Sequence, residues 1–236
     1  MQHIKKFLYG GKDCFVDLVD YVGSDLSVVN SARVSFGKHK TELDDKDKKL
    51  IKYLIKHKHT STLEHCFVTF RVKVPLFVRS QHHRHRTWSY NEISRRYTDF
   101  DIQFYGPEAF RTQHKSNRQA SNVDELVNPT LENGSWIYKL LTAQEAVENH
   151  NKLSLNLFNH LIEAGVCREQ ARGVLPQNML TEYYCSANLN NILKFIDLRT
   201  HEGAQWEIQQ MALAMLEIVS KLYPVTVEAY REIRGV

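Results

Sequence analysis

A strict alternation of apolar and polar residues over 66–74 constrains the fold more than any other part of the sequence. One side of the alternation carries Cys66, Val68, Phe70, Val72 and Val74. The other side carries Thr69, Arg71 and Lys73. Because successive side chains of a strand point to opposite faces, this pattern predicts a half-buried β-strand. Pro75 follows at once, and its fixed φ and missing N–H suit the first turn of a helix.

Three further segments have helical periodicity. Over 44–57 the apolar residues recur at helical spacing behind an acidic start, which a helix N-terminus favours. The same reasoning predicts helices over 137–164, stopped by Gly165, and over 204–222, before Pro224. We therefore predict one α+β domain over residues 1–236.

The segment 111–135 is polar and rich in turn-forming residues, with turn signals at Asn128-Pro129 and Asn133-Gly134. We interpret it as an exposed excursion or lid.

Composition limits the class of protein. A chain of 236 residues with 42% apolar residues can bury a core without disulfides or a structural metal. Its four cysteines form no CxxC pair, which is typical of a reducing compartment. No window approaches the roughly 20 apolar residues of a membrane span. We expect a cytoplasmic protein whose net charge of +4 favours small anions over nucleic acid.

The segment 81–96 carries the chemistry. It contains four arginines, three histidines and one carboxylate, and such closely spaced cations repel each other unless an anion lies among them. A helix continued from Pro75 would place Gln81, Arg84 and His85 on one face. An extended chain after Trp88 would place Ser94 and Arg96 on one side, where they could hold a phosphate.

Other interpretations of this segment stay open. A solvated basic surface is the simplest of them, and a nucleic-acid-binding module is another. The interleaved Trp88, Tyr90 and Tyr97 argue against a solvated surface, because exposed aromatic side chains need a reason. The nearby histidines suggest a metal site, but the adjacent arginines oppose a cation, so we predict no metal.

A second dense region runs from 168 to 207. In it Arg172 and Arg199 interrupt apolar helical patterns, and an arginine in such a position usually contacts a carboxylate or a ligand. Glu169 and Glu202 are the neighbouring carboxylates, so spacing alone leaves both explanations open.

These residues together resemble a known family. Arg84-His85-Arg86, then seven residues, then Ser94, resembles the defining motif of flavin-dependent thymidylate synthases, and the resemblance continues over 89–97. Further agreement lies within 32–36, 59–65, 168–176 and 198–207. The resemblance therefore covers nearly the whole chain.

The resemblance implies an α+β fold with an antiparallel or mixed sheet flanked by long helices, in a homotetramer whose active sites lie at subunit interfaces around FAD. It implies methylation of dUMP to dTMP, with methylene-tetrahydrofolate as carbon donor and NADPH as reductant. No cysteine lies in 84–96, in agreement with a reaction that uses no cysteine nucleophile. Neither nucleic acid nor membrane is expected as a partner.

Residue roles follow from the same resemblance. The implied dUMP ligands are Gln81, Arg84, Glu92, Ser94, Arg96, Arg172 and Arg199. The implied flavin contacts are His59, Ser61, Arg84, His85, Arg86, Glu92, Asn188, Asn190 and Lys194. Arg199 is the implied catalytic residue, because a guanidinium stabilises negative charge developing on the uracil ring.

Two points qualify these roles. Ser94 lacks an adjacent neutral base and is assigned to binding, not to nucleophilic attack. Gly203 and Lys194 depart from the residues that the family commonly has there, which leaves open a variant that binds nucleotide without turnover.

Overall fold

The computed structural model describes residues 4–132 and 138–235. They form two compact units, the first made of residues 4–73, 82–91 and 183–235, and the second of residues 74–81 and 92–182 without 133–137. The single-domain organisation stays a prediction.

Strands and helices of the described residues are as follows. The strands are β1 (Lys5–Phe7), β2 (Phe15–Val22), β3 (Phe67–Pro75), β4 (Ser89–Glu92), β5 (Phe110–Gln113), β6 (Ser121–Val127) and β7 (Leu180–Asn188). The helices are α1 (Asp25–Arg33), α2 (Asp45–Lys56), α3 (Leu76–His82), α4 (Ala143–Glu163), α5 (Arg168–Ala171), α6 (Leu189–Arg199), α7 (Trp206–Leu222) and α8 (Pro224–Arg234). The predicted α+β class is confirmed.

Strand β3 lies at the centre of a five-stranded sheet with the order β1-β2-β3-β7-β4. It pairs antiparallel with β2, which in turn pairs antiparallel with β1. All five apolar residues of the alternation are fully buried, and the polar residues between them are partly exposed, as predicted. The predicted turn from strand into helix at Pro75 is also confirmed.

Helix ends in the first unit are fixed by side chains. Asp44 accepts the main-chain N–H of Asp47 at 3.0 Å, and this cap starts α2 within one residue of its predicted start. The buried carboxylate of Asp25 accepts the N–H of Val225 (3.1 Å) and the N–H and hydroxyl of Thr226 (2.8 and 2.6 Å). Asp25 thus caps α8 from 200 residues away.

Helix α7 packs its predicted apolar stripe into the core. Four of its stripe residues, Ile208, Met211, Met215 and Val219, are fully buried. The helix begins at Trp206, two residues later than the apolar pattern indicated.

The second unit has its own apolar cluster around Phe158 of α4 and Leu175. Helix α4 begins at Ala143, later than the predicted start at 137, because the capping box of Thr142 and Glu145 fixes its N-terminus. Residue 137 and the predicted Asn133-Gly134 turn lie outside the described residues.

The polar excursion is more ordered than the sequence indicated. Strands β5 and β6 pair antiparallel as a two-stranded ribbon, and Arg111 donates to the Ser121 hydroxyl at 2.9 Å across it. Most of β6 is exposed, as predicted, while the role of a lid stays a prediction. None of the described helices is long and apolar enough to cross a membrane.

Candidate active site

The arginine-rich segment bends more than its sequence indicated. Helix α3 ends at His82, so Arg84 and His85 lie in a turn, and the prediction that they share a helical face with Gln81 is wrong. The extended segment ends at Glu92, where β4 ends. The hydroxyl of Ser94 nevertheless accepts the main-chain N–H of Arg96 at 3.3 Å, because a turn brings these residues together.

The four arginines of this segment differ in surroundings. Arg84, Arg86 and Arg96 are exposed and can meet an anion from solvent. Arg95 is only 7% exposed, and its guanidinium donates to the carbonyls of Phe100 (2.7 Å) and Asp101 (3.4 Å). Arg95 therefore stabilises the following loop. The number of positive charges in the sequence could not show whether this arginine has a structural role or binds a ligand.

The aromatic residues also differ. Trp88 is buried at 6% exposure, whereas Tyr97 is 77% exposed. The expectation that these aromatic rings are exposed is therefore wrong for Trp88 and confirmed for Tyr97.

The structure joins two predicted site residues in the first unit. The Nε–H of Arg199, at the end of α6, donates to Nε2 of His85 at 3.1 Å across 114 residues of sequence. The ring of Phe195 packs edge-on against His85, with the centroids 4.9 Å apart. Helix α6 and the turn after α3 thus together position the guanidinium of Arg199.

The charge of this pair is that of Arg199 alone. Burial, and then the nearby positive charge of Arg199, lower the pKa of His85 to about 4. The imidazole is therefore neutral near pH 7 and accepts the hydrogen bond without cancelling the cation. Burial also lowers the pKa of Arg199, but an arginine remains protonated. The result is a partly dehydrated positive charge that can act on a developing anion.

Glu92 anchors a different arrangement in the second unit. Its Oε1 accepts the Nε–H of Arg79 at 2.9 Å and the hydroxyl of Thr181 at 2.6 Å. Both donors act on the same oxygen, so they hold the carboxylate in one orientation.

Arg79 and Thr181 are missing from the sequence-based site. Thr181 is 89 residues from Glu92 in the sequence and stands in an ordinary strand pattern, so no local signal marks it. Arg79 lies one helical turn before His82 on α3, and its charge next to the arginine-rich segment was the available signal.

The implied flavin contacts outside the arginine-rich segment lie on two segments of the first unit. His59 and Ser61 are exposed after α2, and the ring of His59 lies 5.9 Å from that of Tyr53. Asn188, the last residue of β7, caps α6 by accepting the N–H of Asn191 at 2.9 Å, and Lys194 on α6 is exposed.

Asn190 differs from these neighbours. It is buried, and its amide donates to Glu64 at 2.9 Å, which fixes the helix start to the turn after α2.

The second dense region contains an exposed arginine. Arg172, just after α5, donates its Nε–H to the main-chain carbonyl of Glu169 at 3.3 Å. Nearby, Arg168 pairs with Asp99 at 2.9 Å, and both side chains are nearly half exposed. Of the two arginines considered from sequence, Arg199 is held by a neutral side chain and Arg172 by main chain.

Across 4–132 and 138–235, no three His, Cys, Asp or Glu side chains lie close enough together to hold a metal ion.

Comparison with known proteins defines the class. Residues 17–225 match the family model described as thymidylate synthase complementing protein. The chain therefore belongs to the thymidylate synthase complementing protein family.

Its relatives carry a more specific name. Over 92% of its length the chain is 44% identical to the flavin-dependent thymidylate synthase of Thermus thermophilus, covering 76% of that protein. It is 42% identical to the flavin-dependent thymidylate synthase of Kosmotoga olearia, covering 92% of this chain and 89% of the relative. These values confirm the family predicted from the motif.

Solved structures agree with this family. The UMP/dUMP methylase PolB from Streptomyces cacaoi bound with 5-Br dUMP is 31% identical, with a TM-score of 0.74. The alignment covers 93% of this chain and 95% of PolB. The structure of PolB bound with 5-Br UMP gives a TM-score of 0.77 and covers 96% and 97% of the two chains.

Proposed function

We propose that this chain is an FAD-dependent thymidylate synthase that methylates dUMP to dTMP. In this proposal methylene-tetrahydrofolate supplies the carbon, and NADPH supplies the reducing equivalents. The observation that carries it is the contact between Arg199 and neutral His85, because this imidazole holds the guanidinium without cancelling its positive charge. Family membership and the methylases that resemble this chain support the substrate class.

Arg199 is the proposed catalytic residue. Transfer of a carbon to C5 of uracil requires negative charge to develop on the ring. A fixed, partly dehydrated cation lowers the energy of that charge without having to reorganise. His85 contributes by holding the guanidinium through Nε, which orients the plane of its donors.

The proposed dUMP ligands supply complementary groups. The exposed guanidinium groups of Arg84, Arg96 and Arg172 suit a phosphate, which arginine can bind with two parallel hydrogen bonds. Glu92 would accept hydrogen bonds from hydroxyl or N–H groups of the nucleotide, and Arg79 and Thr181 keep it oriented for that task. Ser94 and Gln81 complete the proposed set.

The residues present fit an FAD. Exposed Arg84, Arg86 and Lys194 supply positive charge of the kind that a pyrophosphate requires. His59, Ser61, Asn188 and Asn190 add polar side chains, with His85 and Glu92 from the same motif. When bound, the flavin would carry the reducing equivalents from NADPH.

We propose a cytoplasmic homotetramer with active sites at subunit interfaces. The support is the family resemblance, and size-exclusion chromatography with light scattering tests the mass directly. A monomeric enzyme with full activity would contradict the proposed assembly.

The absorption spectrum of the purified protein tests the main proposal. We expect a yellow protein whose flavin is bleached by NADPH, and faster bleaching when dUMP is present. dUMP labelled with tritium at C5 should release the tritium when methylene-tetrahydrofolate and NADPH are both added. A colourless protein that takes up no FAD on reconstitution would refute the flavin assignment.

Tritium release and an oligonucleotide-binding assay together separate the rival functions. Flavin binding without tritium release would indicate a nucleotide-binding protein without turnover. Salt-dependent oligonucleotide binding with no effect of dUMP would instead indicate a nucleic-acid-binding module.

UMP should be assayed beside dUMP. The solved PolB structures are of a UMP/dUMP methylase, one of them bound with 5-Br UMP. Tritium release from labelled UMP at a rate similar to that from dUMP would extend the proposed substrate to the ribonucleotide.

A further inference from the structure

One hydroxyl closes the turn that carries His85. Tyr90 Oη lies 2.9 Å from the carbonyl oxygen of His82 and 3.1 Å from that of His85, so its single O–H is shared between them. The N–H of His85 also donates to the carbonyl of His82 at 2.9 Å. The two ends of the turn over 82–85 are therefore joined twice.

The first end of this turn is anchored in the core. The side chain of His82 is fully buried, and its Nδ1 lies 2.9 Å from the hydroxyl of Tyr183. The rings of Trp88 and Phe195 surround it at centroid distances of 4.7 and 4.8 Å. Burial holds the pKa of His82 well below its ordinary value, so this anchor is uncharged.

The second end meets the proposed catalytic arginine. His85 accepts from Arg199 at 3.1 Å, and a change in the backbone at His85 would move its imidazole away from this contact. The ring of Tyr90 is itself held in place, because it packs against the ring of His83 with the centroids 4.1 Å apart and the planes tilted by 39°. Burial raises the pKa of the Tyr90 hydroxyl, so it remains a donor at neutral pH.

We infer that Tyr90 is a positioning residue whose hydroxyl sets the turn over 82–85 and, through His85, the orientation of Arg199. The inference rests on the function proposed for Arg199. In this role Tyr90 contacts neither substrate nor flavin and acts only through the turn. Its effect should therefore appear in the state of His85 as well as in turnover.

The test is Tyr90→Phe, which keeps the ring contacts and removes the hydroxyl. We expect FAD content to stay near wild type and the thermal midpoint to fall by only a few degrees, because two carbonyls lose one shared donor. The kcat should fall about 5- to 10-fold, the effect expected for the loss of one neutral hydrogen bond. The KM for dUMP should change less than kcat, since the proposed binding groups are retained. Tyr138→Phe is the matched control, because it removes a phenol that bonds His150 at 3.0 Å in another part of the chain.

Nitrogen-15 NMR of the imidazoles gives a readout that does not depend on turnover. In the wild type we expect His85 as the neutral tautomer with its proton on Nδ1, because Nε2 accepts from Arg199. Tyr90→Phe should shift the His85 resonances and raise the pKa of His85 towards that of a free imidazole. Unchanged His85 resonances, together with wild-type kcat, would overturn the inference.

A double-mutant cycle decides whether Tyr90 acts through His85. The loss caused by Tyr90→Phe should nearly vanish when His85→Ala is already present, whereas an equal loss in both backgrounds overturns the inference. If the wild type makes no dTMP, the proposed function fails, and the NMR comparison alone decides the inference about Tyr90.

Discussion

The surroundings of Arg199 and of Glu92 fix a charged group by opposite means. Arg199 is held by the neutral imidazole of His85, against which the ring of Phe195 packs, so its positive charge is not cancelled by His85. Glu92 is held by the cation of Arg79 and by the hydroxyl of Thr181, so its charge is largely compensated. The first arrangement suits a group that must act on developing charge, and the second suits a group that must keep its orientation.

The difference also concerns solvent. Coulombic attraction between partly exposed ions weakens as salt concentration rises, whereas a hydrogen bond from a cation to a neutral acceptor depends less on ionic strength. We therefore expect added salt to weaken the contact between Arg79 and Glu92. Acid should instead weaken the contact between Arg199 and His85, because it protonates the imidazole.

The largest effect should come from removing the positive charge of Arg199. Arg199→Ala should retain FAD and lower turnover by about 100-fold or more, because the developing negative charge loses its stabilising cation. Tritium release and flavin absorbance measure the two parts of this prediction. Arg118→Ala, which removes an exposed arginine outside the candidate site, is the control. Turnover within about twofold of wild type in Arg199→Ala would refute the catalytic role.

Removing the compensating charge should have a smaller effect. Arg79→Ala leaves Glu92 with Thr181 as its remaining described donor, and we expect the KM for dUMP to rise about 10- to 30-fold. Arg79→Lys should recover part of the loss, since an ammonium group can also donate to Oε1. The kcat should change less than KM, and the reverse ratio would contradict a role in orienting Glu92. Steady-state kinetics at two salt concentrations measure both quantities.

Acid should affect the His85 arrangement through stability. The pKa of His85 is about 4 in the folded protein, below the ordinary imidazole value of 6.5, so the unfolded chain binds the proton first as pH falls. The stabilisation is complete above about pH 6.5 and is lost as pH falls towards 4. Between pH 7 and 5 this loss amounts to about 1–2 kcal/mol of unfolding free energy.

Urea unfolding at the two pH values checks this prediction. His85→Gln should show a smaller loss of stability between pH 7 and 5 than the wild type does. His160→Gln, which removes an exposed histidine from α4, is the matched control. An equal loss in His85→Gln and wild type would contradict the assignment.

The smallest effect should come from the exposed ion pair of the second unit. Arg168 and Asp99 are 44% and 46% exposed, and such pairs contribute little. Arg168→Ala should lower the thermal midpoint by less than about 2 °C, and the difference should shrink in high salt. A larger shift that persists in high salt would assign Arg168 a role beyond this pair.

Sequence patterns predicted the parts of the fold that depend on local periodicity. The alternation over 66–74 and the apolar stripe of α7 each reflect a buried face, so burial alone determined them. The ends of α3 and α4 were less predictable. In α4, for example, the capping box of Thr142 and Glu145 starts the helix at Ala143, although the helical pattern of the sequence begins earlier.

The candidate site was only partly accessible to the same reasoning. The family resemblance named His85 and Arg199 separately, but their contact depends on the packing of α6 and was not visible in the sequence. The two donors to Glu92 were missed for the same reason. The residue types therefore predicted which side chains belong to the site. The structure was needed to show which partner holds each of them.

The cap on α8 has a consequence for synthesis. Asp25 is made early, but its described donors at Val225 and Thr226 leave the ribosome about 200 residues later. Until then the carboxylate lacks these donors, so we expect the first unit to leave its core open around Asp25. A nascent product that stops before Thr226 would have to bury an uncompensated charge or leave this region open. Quality-control proteases should therefore distinguish such truncated products sharply from the full-length chain.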